Sequence, residues 1–127
     1  MILEILKQRF TVCKLNSAAE LPLETEFCFV GKTDRELSLV CPEENVPQNT
    51  LAREDGWRCF RVEGTLDFSL VGILSSISSK LAEAGIPIFA VSTFDTDYIL
   101  VKETQFIPAL EILRAAGHQT KGRISHD

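Results

Sequence analysis

Leu70, Ile73, Leu74, Ile77 and Leu81 recur at three- and four-residue steps, while Ser75, Ser76, Ser79, Lys80 and Glu83 fill positions between them. Only a helix gathers such a set onto one face, so the stretch predicts an amphipathic helix that must lay its apolar stripe on a second layer. Asp67 or Ser69 is placed to cap its start and Gly85 to stop it. The flanking segments supply that second layer. Trp57–Glu63 (WRCFRVE) precedes the helix as a strand, with Trp57, Cys59 and Arg61 on one side and Phe60 on the other. Ile86–Ser92 (IPIFAVS) and Tyr98–Val101 (YILV) follow as strands, joined through Thr93-Phe94-Asp95-Thr96-Asp97. A second amphipathic helix is expected over Thr104–Ala116, with Phe106, Leu110 and Leu113 as its stripe, Pro108 in its first turn and Gly117 at its end.

The order strand, helix, strand, strand, helix predicts an α+β, ferredoxin-like (βαββαβ) unit, with helices on one face of an antiparallel sheet. The strand before the first helix is expected to pair beside the strand after it, through a right-handed crossover. The closing strand is missing, because His118–Asp127 is polar and expected to fray. It must come from the N-terminal half.

That half carries strand patterns at Arg9–Leu15, Glu26–Lys32 (EFCFVGK) and Glu36–Cys41 (ELSLVC), the last two forming a hairpin around Lys32-Thr33-Asp34-Arg35. Pro42–Gly56 reads as a connection with one helical turn near Asn49–Arg53. A gapless offset of 61 residues lays Phe27–Glu44 on Ile88–Gln105, matching Val30 to Val91, Asp34 to Asp95, Glu36 to Asp97 and Leu39-Val40 to Leu100-Val101. Leu15 to Phe27 leaves room for only a short turn, where Val62 to Ile86 encloses a full helix. The chain is therefore expected to hold tandem copies of one unit: a degenerate copy and connector over 1–56 and a complete one over 57–127.

Composition narrows the function. With 127 residues, 45% hydrophobic, the chain can bury a core without staples. Its formal charge of −5 is spread through both halves, so no nucleic-acid partner is expected. No apolar run reaches the roughly 20 residues that span a bilayer, and Glu4 interrupts the N-terminal run where a signal peptide needs apolar residues. No membrane partner and a cytoplasmic location are expected. Cys13, Cys28, Cys41 and Cys59 contain no C-x-x-C pair and lie in apolar strand patterns, so they are assigned to the core, with no metal and no cofactor. His118 and His126, the only histidines, lie at or beyond the last helix. No Ser/His/Asp order, H-E-x-x-H or phosphate-cradling loop appears, so no catalytic residues are assigned and the chain is not expected to be an enzyme.

Val62-Glu63-Gly64-x-x-Asp67-Phe68-x-x-x-Gly72-Ile73-Leu74, then Leu81-x-x-x-Gly85-Ile86-Pro87-Ile88, then Ser92-Thr93-Phe94-x-x-Asp97-Tyr98-Ile99-Leu100-Val101 together resemble the ACT domain, a ferredoxin-like regulatory module that binds amino acids. The chain is most similar to small tandem-ACT bacterial proteins, and through them to the animal cytosolic arginine sensors. The resemblance implies a non-catalytic sensor whose small amino-acid effector sits at a domain interface, against the loop entering the first helix. It places the ligand against Asp67, Phe68, Leu70, Gly72, Ile73 and Leu74. The motif Thr-Phe-x-x-Asp of the arginine sensors falls on Thr93, Phe94 and Asp97, with Ser92 beside it. The chemistry is sensible in its own right: a helix N-terminus suits an α-carboxylate, and an aspartate suits an ammonium. Gly72 is either a place for close ligand approach or a helix-packing position.

Phe68-Ser69-Leu70-Val71 supplies no second carboxylate to grip a guanidinium, so a neutral amino acid fits as well as arginine. The sensors have four such units and this chain two, which implies a homodimer if paired units build the site. Asp95 and Asp97 alone make a poor cation cage. The competing expectation is a structural or protein-interaction module that keeps the fold without a ligand.

Overall fold

The computed structural model describes residues 1–63 and 72–122. The chain divides into two compact units, a larger one of Met1–Lys7 with Arg58–Asp127 and a smaller one of Gln8–Trp57. Two long strands, β1 (Ile2–Leu15) and β4 (Ala52–Val62), each contribute residues to both.

In the larger unit β4 leads to α1 (Ile73–Glu83), β5 (Phe89–Ser92), β6 (Asp97–Lys102), α2 (Glu103–Ala115) and β7 (Gln119–Lys121). The strand order is β1-β4-β6-β5. The first half of β1 thus fills the fourth-strand place of a ferredoxin-like sheet, as the missing closing strand required. The Glu63 N–H donates to the Ile2 carbonyl at 2.9 Å at this seam. Three expectations are corrected. β4 lies beside β6 rather than β5, which takes the edge. The strand at the N-terminus starts at Ile2, not Arg9, because Leu3 and Ile5 alternate into the core. The tail does supply a strand: β7 pairs parallel with β1, Ile2 opposite Gln119 and Glu4 opposite Lys121.

Both helices press on one core. Leu3, Ile5, Phe60, Val62, Ile99 and Val101 from the sheet meet Ile77 and Leu81 of α1 and Phe106, Leu110 and Leu113 of α2. Buried Arg58 lies beside this stripe, its guanidinium 6.0 Å from the Phe106 ring centre and 4.0 Å from the Glu103 carboxylate. Both helices end in paired Schellman bonds: Ile86 N–H to Leu81 and Gly85 N–H to Ala82, then His118 N–H to Leu113 and Gly117 N–H to Arg114. Pro108 sits in the second turn of α2, not the first, because the helix begins directly after β6 at Glu103. There its ring removes one intrahelical donor.

The smaller unit repeats the plan. Its order is β2-β3-β1-β4, with β2 at Phe29–Lys32 and β3 at Leu37–Pro42. The Leu51 N–H donates to the Lys14 carbonyl at 2.8 Å where β4 joins. The first helix of the plan has shrunk to a 3₁₀ turn at Ala18–Glu20, capped by Ser17, as the short spacing implied. The connection differs from expectation: its helical turn lies at Glu43–Asn45, and the polar run from Ala52 is already strand. The repeat itself carries an offset of 60 residues, not 61. Phe29 pairs with Val40 as Phe89 does with Leu100, and Lys32 with Leu37 as Ser92 does with Asp97. A one-residue slip exchanges the faces of a strand, and only the shorter offset lays buried Leu39, Val40 and Cys41 on buried Ile99, Leu100 and Val101.

Candidate functional site

Of the candidate residues, Ser92, Thr93, Phe94 and Asp97 fall at the end of the larger unit's sheet where β4 finishes. Asp67, Phe68 and Leu70 lie outside the described residues, as does Ser69. Helix α1 starts after Gly72, which serves as its N-cap with φ 92° and no side-chain capping bond. This corrects the expected cap at Asp67 or Ser69. The Gly72 carbonyl accepts the Ser76 N–H at 2.7 Å, so the helical ladder begins here. The amides at the start of the first turn have no intrahelical acceptor. Ile73 and Leu74 are half-buried and packed on the core.

The β5–β6 turn is braced by its own threonines. The Thr93 N–H and hydroxyl both donate to the Thr96 carbonyl, at 2.9 and 3.0 Å, and the Thr96 N–H donates back to the Thr93 hydroxyl at 3.3 Å. Ser92 and Asp97 close the turn as a cross-strand pair, with the Ser92 hydroxyl donating to the Asp97 carboxylate at 2.6 Å. Phe94 stands at the tip, 85% exposed.

Thr96 holds this turn in place. It is buried, and its hydroxyl donates to the Val62 carbonyl at 2.7 Å. Val62 is the last residue of β4, the strand from which the chain departs toward α1. The bond therefore puts Ser92, Thr93, Phe94 and Asp97 at the end of the sheet where β4 finishes. Thr96 was absent from the expected site residues. Its sequence signal is the Thr93-x-x-Thr96 spacing, whose first member recurs as Thr33 in the other hairpin. There the Thr33 N–H donates to the Glu36 carbonyl at 2.9 Å and the Glu36 N–H to the Thr33 hydroxyl at 3.1 Å.

The remaining polar groups serve other places. Arg61 on the helix-free face bonds Glu4 at 3.1 Å and the Tyr98 hydroxyl at 3.3 Å. His118 follows α2, and burial lowers its pKa. Cys13, Cys41 and Cys59 are buried and Cys28 half-buried, all as free thiols. Burial pushes the Cys41 thiol up to about 12 and raises those of Cys13, Cys28 and Cys59. Among the described residues no three His, Cys, Asp or Glu side chains are grouped to hold a metal ion, and no helix is long and apolar enough to cross a membrane.

A family model of the ACT domain matches residues 52–115, and a second model, of an N-terminal domain, matches residues 8–49. Among solved structures, the chain is similar to a protein from Agobacterium tumefaciens, with 34% identity and a TM-score of 0.84 over 99% of this chain and 94% of that one. It is similar to a Vibrio cholerae protein at 23% identity, with a TM-score of 0.69 over 87% of this chain and 85% of that one. The ligand-free regulatory subunit of aspartate kinase from Thermus thermophilus shares 7% identity but the same fold, with a TM-score of 0.65 over 91% of this chain and 96% of that one.

Proposed function

The chain belongs to the ACT domain family, and from that premise we propose that it is a non-catalytic regulatory protein that binds a small amino acid at the end of the sheet where β4, α1 and the β5–β6 turn begin and end. The observation that supports this reading is the Thr96–Val62 hydrogen bond, which fixes a polar turn at the end of β4, the strand that precedes helix α1, whose N-cap Gly72 makes no side-chain capping bond. In the proposed complex those amides receive the α-carboxylate, and Asp97 receives the α-ammonium through a charge-assisted bond. Ser92 orients the aspartate, Thr93 shapes the turn, and Phe94 covers the ligand. Asp67, Phe68 and Leu70, outside the described residues, would join Ile73 and Leu74 as further ligand contacts, with Gly72 leaving room for close approach. Ligand would favour one arrangement of a cytoplasmic homodimer, and the regulated event would follow from that population shift.

A second reading has its own support. An aromatic ring 85% exposed on a braced turn also suits a protein-interaction module that needs no ligand.

Thermal unfolding of the full chain against each of the twenty amino acids separates the two. A ligand at about 100 times its Kd adds about 2.7 kcal/mol of stability, which raises Tm by several degrees. A rise with one amino acid, abolished in Asp97→Ala but kept in Asp34→Ala, supports the sensor. Absence of any rise sinks it and leaves the interaction module, for which Phe94→Ala should abolish partner capture without lowering Tm.

A further inference from the structure

The smaller unit contains a feature that the effector reading does not use. Three of its thiols, Cys13, Cys28 and Cys41, share one apolar cluster with Leu15 and Leu39. They are not equivalent in the sheet. Cys13 faces Leu39 across the β1–β3 ladder, and Thr11 faces Cys41, so Cys13 and Cys41 are diagonal neighbours. Cys28 stands one residue before Phe29, whose partner is Val40, so continuing the β2–β3 ladder by one step sets Cys28 directly opposite Cys41.

The hydrogen-bond phase of that ladder decides what such a pair can do. The Thr33 N–H donates to the Glu36 carbonyl, which marks Thr33 and Glu36 as a hydrogen-bonded pair. Alternate pairs follow, so Phe29 with Val40 is again hydrogen-bonded and Cys28 with Cys41 is not. Non-hydrogen-bonded partners lie with Cα atoms roughly 4.5 Å apart, within the roughly 4.4–6.8 Å range that a disulfide bridges, whereas diagonal neighbours are too far apart at roughly 7–8 Å.

We propose that Cys28 and Cys41 are a disulfide-forming pair, a thiol modification site that staples the start of edge strand β2 to β3 when a low-molecular-weight disulfide is present. The half-buried Cys28 thiolate attacks one sulfur of glutathione disulfide, forming a mixed disulfide and releasing one glutathione thiolate. Cys41 gives its proton to that thiolate and attacks the Cys28 sulfur, and the second glutathione leaves as a thiolate that takes up the proton lost from Cys28. Two protein thiols are oxidised by two electrons to one S–S bond, and one glutathione disulfide is reduced to two thiols. Cys28 is the entry point because it is the more exposed member, and because burial pushes the Cys41 thiol up to about 12. Reduction by excess thiol runs the same steps backwards, so the staple is reversible.

The test is peptide mapping of the folded full-length chain after incubation with excess glutathione disulfide, acid quench and alkylation of the remaining thiols. The expected product is a Cys28–Cys41 cross-link with loss of two hydrogen atoms, retained in Cys13→Ser and Cys59→Ser and lost in Cys28→Ser. In denaturant the wild-type chain should instead spread its cross-links over several cysteine pairs. A glutathione adduct that stays on Cys28, a Cys13–Cys28 or Cys13–Cys41 link under native conditions, or complete resistance to oxidation would each overturn the assignment.

Discussion

At the scale of single residues, the candidate end of the larger unit depends on a threonine rather than on a charge. The Thr96 hydroxyl donates to Val62 inside the protein, so Thr96→Val keeps the shape and leaves a buried carbonyl without that donor. The expected cost is about 1–3 kcal/mol, seen as a Tm lower by several degrees, whereas Thr93→Val on the exposed side of the turn should cost less. Equal effects would show that the buried bond does not hold the turn. His118 gives a second residue-scale prediction, this one in pH. Its pKa lies below the ordinary 6.5, chiefly through burial and then through the Met1 amino group, with a hydrogen bond to the Met1 backbone opposing. A folded-state value below the unfolded one means that the unfolded chain binds the extra proton first, so stability falls as pH drops through 6.5 toward the lower folded value. Urea midpoints at pH 7.5 and 5.5 should show this loss, and His118→Gln should reduce it. Ser92, Thr93, Phe94 and Asp97 were legible in the sequence as a turn with a motif. Thr96 was not, because the amino-acid pattern does not say which turn residue faces inward.

Elements were legible wherever one periodicity governed them. The stripes of α1 and α2 and the two hairpins follow from spacing alone, since each buries a single face. The repeat offset slipped by one because chance matches such as Val30 with Val91 compete with the true pairing. Phase is set by the hydrogen-bonded turns at Thr33 and Thr93, which composition does not display. The polar start of β4 and the brief β7 were missed for a different reason: both are held by backbone pairing with β1, so their side chains carry no strand signature. Glycines at element ends allow a graded test of such backbone roles. Gly72 has φ 92° and, among the described residues, open space where a methyl group would stand, so Gly72→Ala should cost only the left-handed strain of about 1–2 kcal/mol. Gly122, just past β7, has φ 104° and would place a Cβ 2.8 Å from the Ile5 carbonyl oxygen. Backbone cannot yield as a side-chain end does, so Gly122→Ala should lower the urea midpoint more than Gly72→Ala. The reverse order would mean that β7 contributes little to the larger unit.

The whole molecule is built from two units of the same plan, but only the larger takes its fourth strand from outside its own continuous stretch, since the smaller finds all four within Gln8–Trp57. Residues Met1–Lys7 belong with Arg58–Asp127, and their fully buried Leu3 and nearly buried Ile5 sit in the core beneath both helices. Removing those two side chains from the core forfeits about 1.5–3 kcal/mol each, against a total stability of about 5–15 kcal/mol for a domain. It also strips the edge of β4, where Glu63 now donates to Ile2, and an unpaired apolar edge invites aggregation. A fragment of residues 57–127 should therefore contain the helices and the β5–β6 hairpin yet fail to give a cooperative thermal transition. Adding a peptide of residues 1–15 should restore that transition, because the peptide supplies the missing strand and its two core residues. A peptide with Leu3→Asp and Ile5→Asp keeps the backbone donors and acceptors but cannot enter the core, so it should not rescue. If the fragment alone melts cooperatively at the temperature of the full chain, the first strand is an ornament on a unit complete without it. If the aspartate peptide rescues as well as the native one, then backbone pairing rather than burial is what the fourth strand contributes.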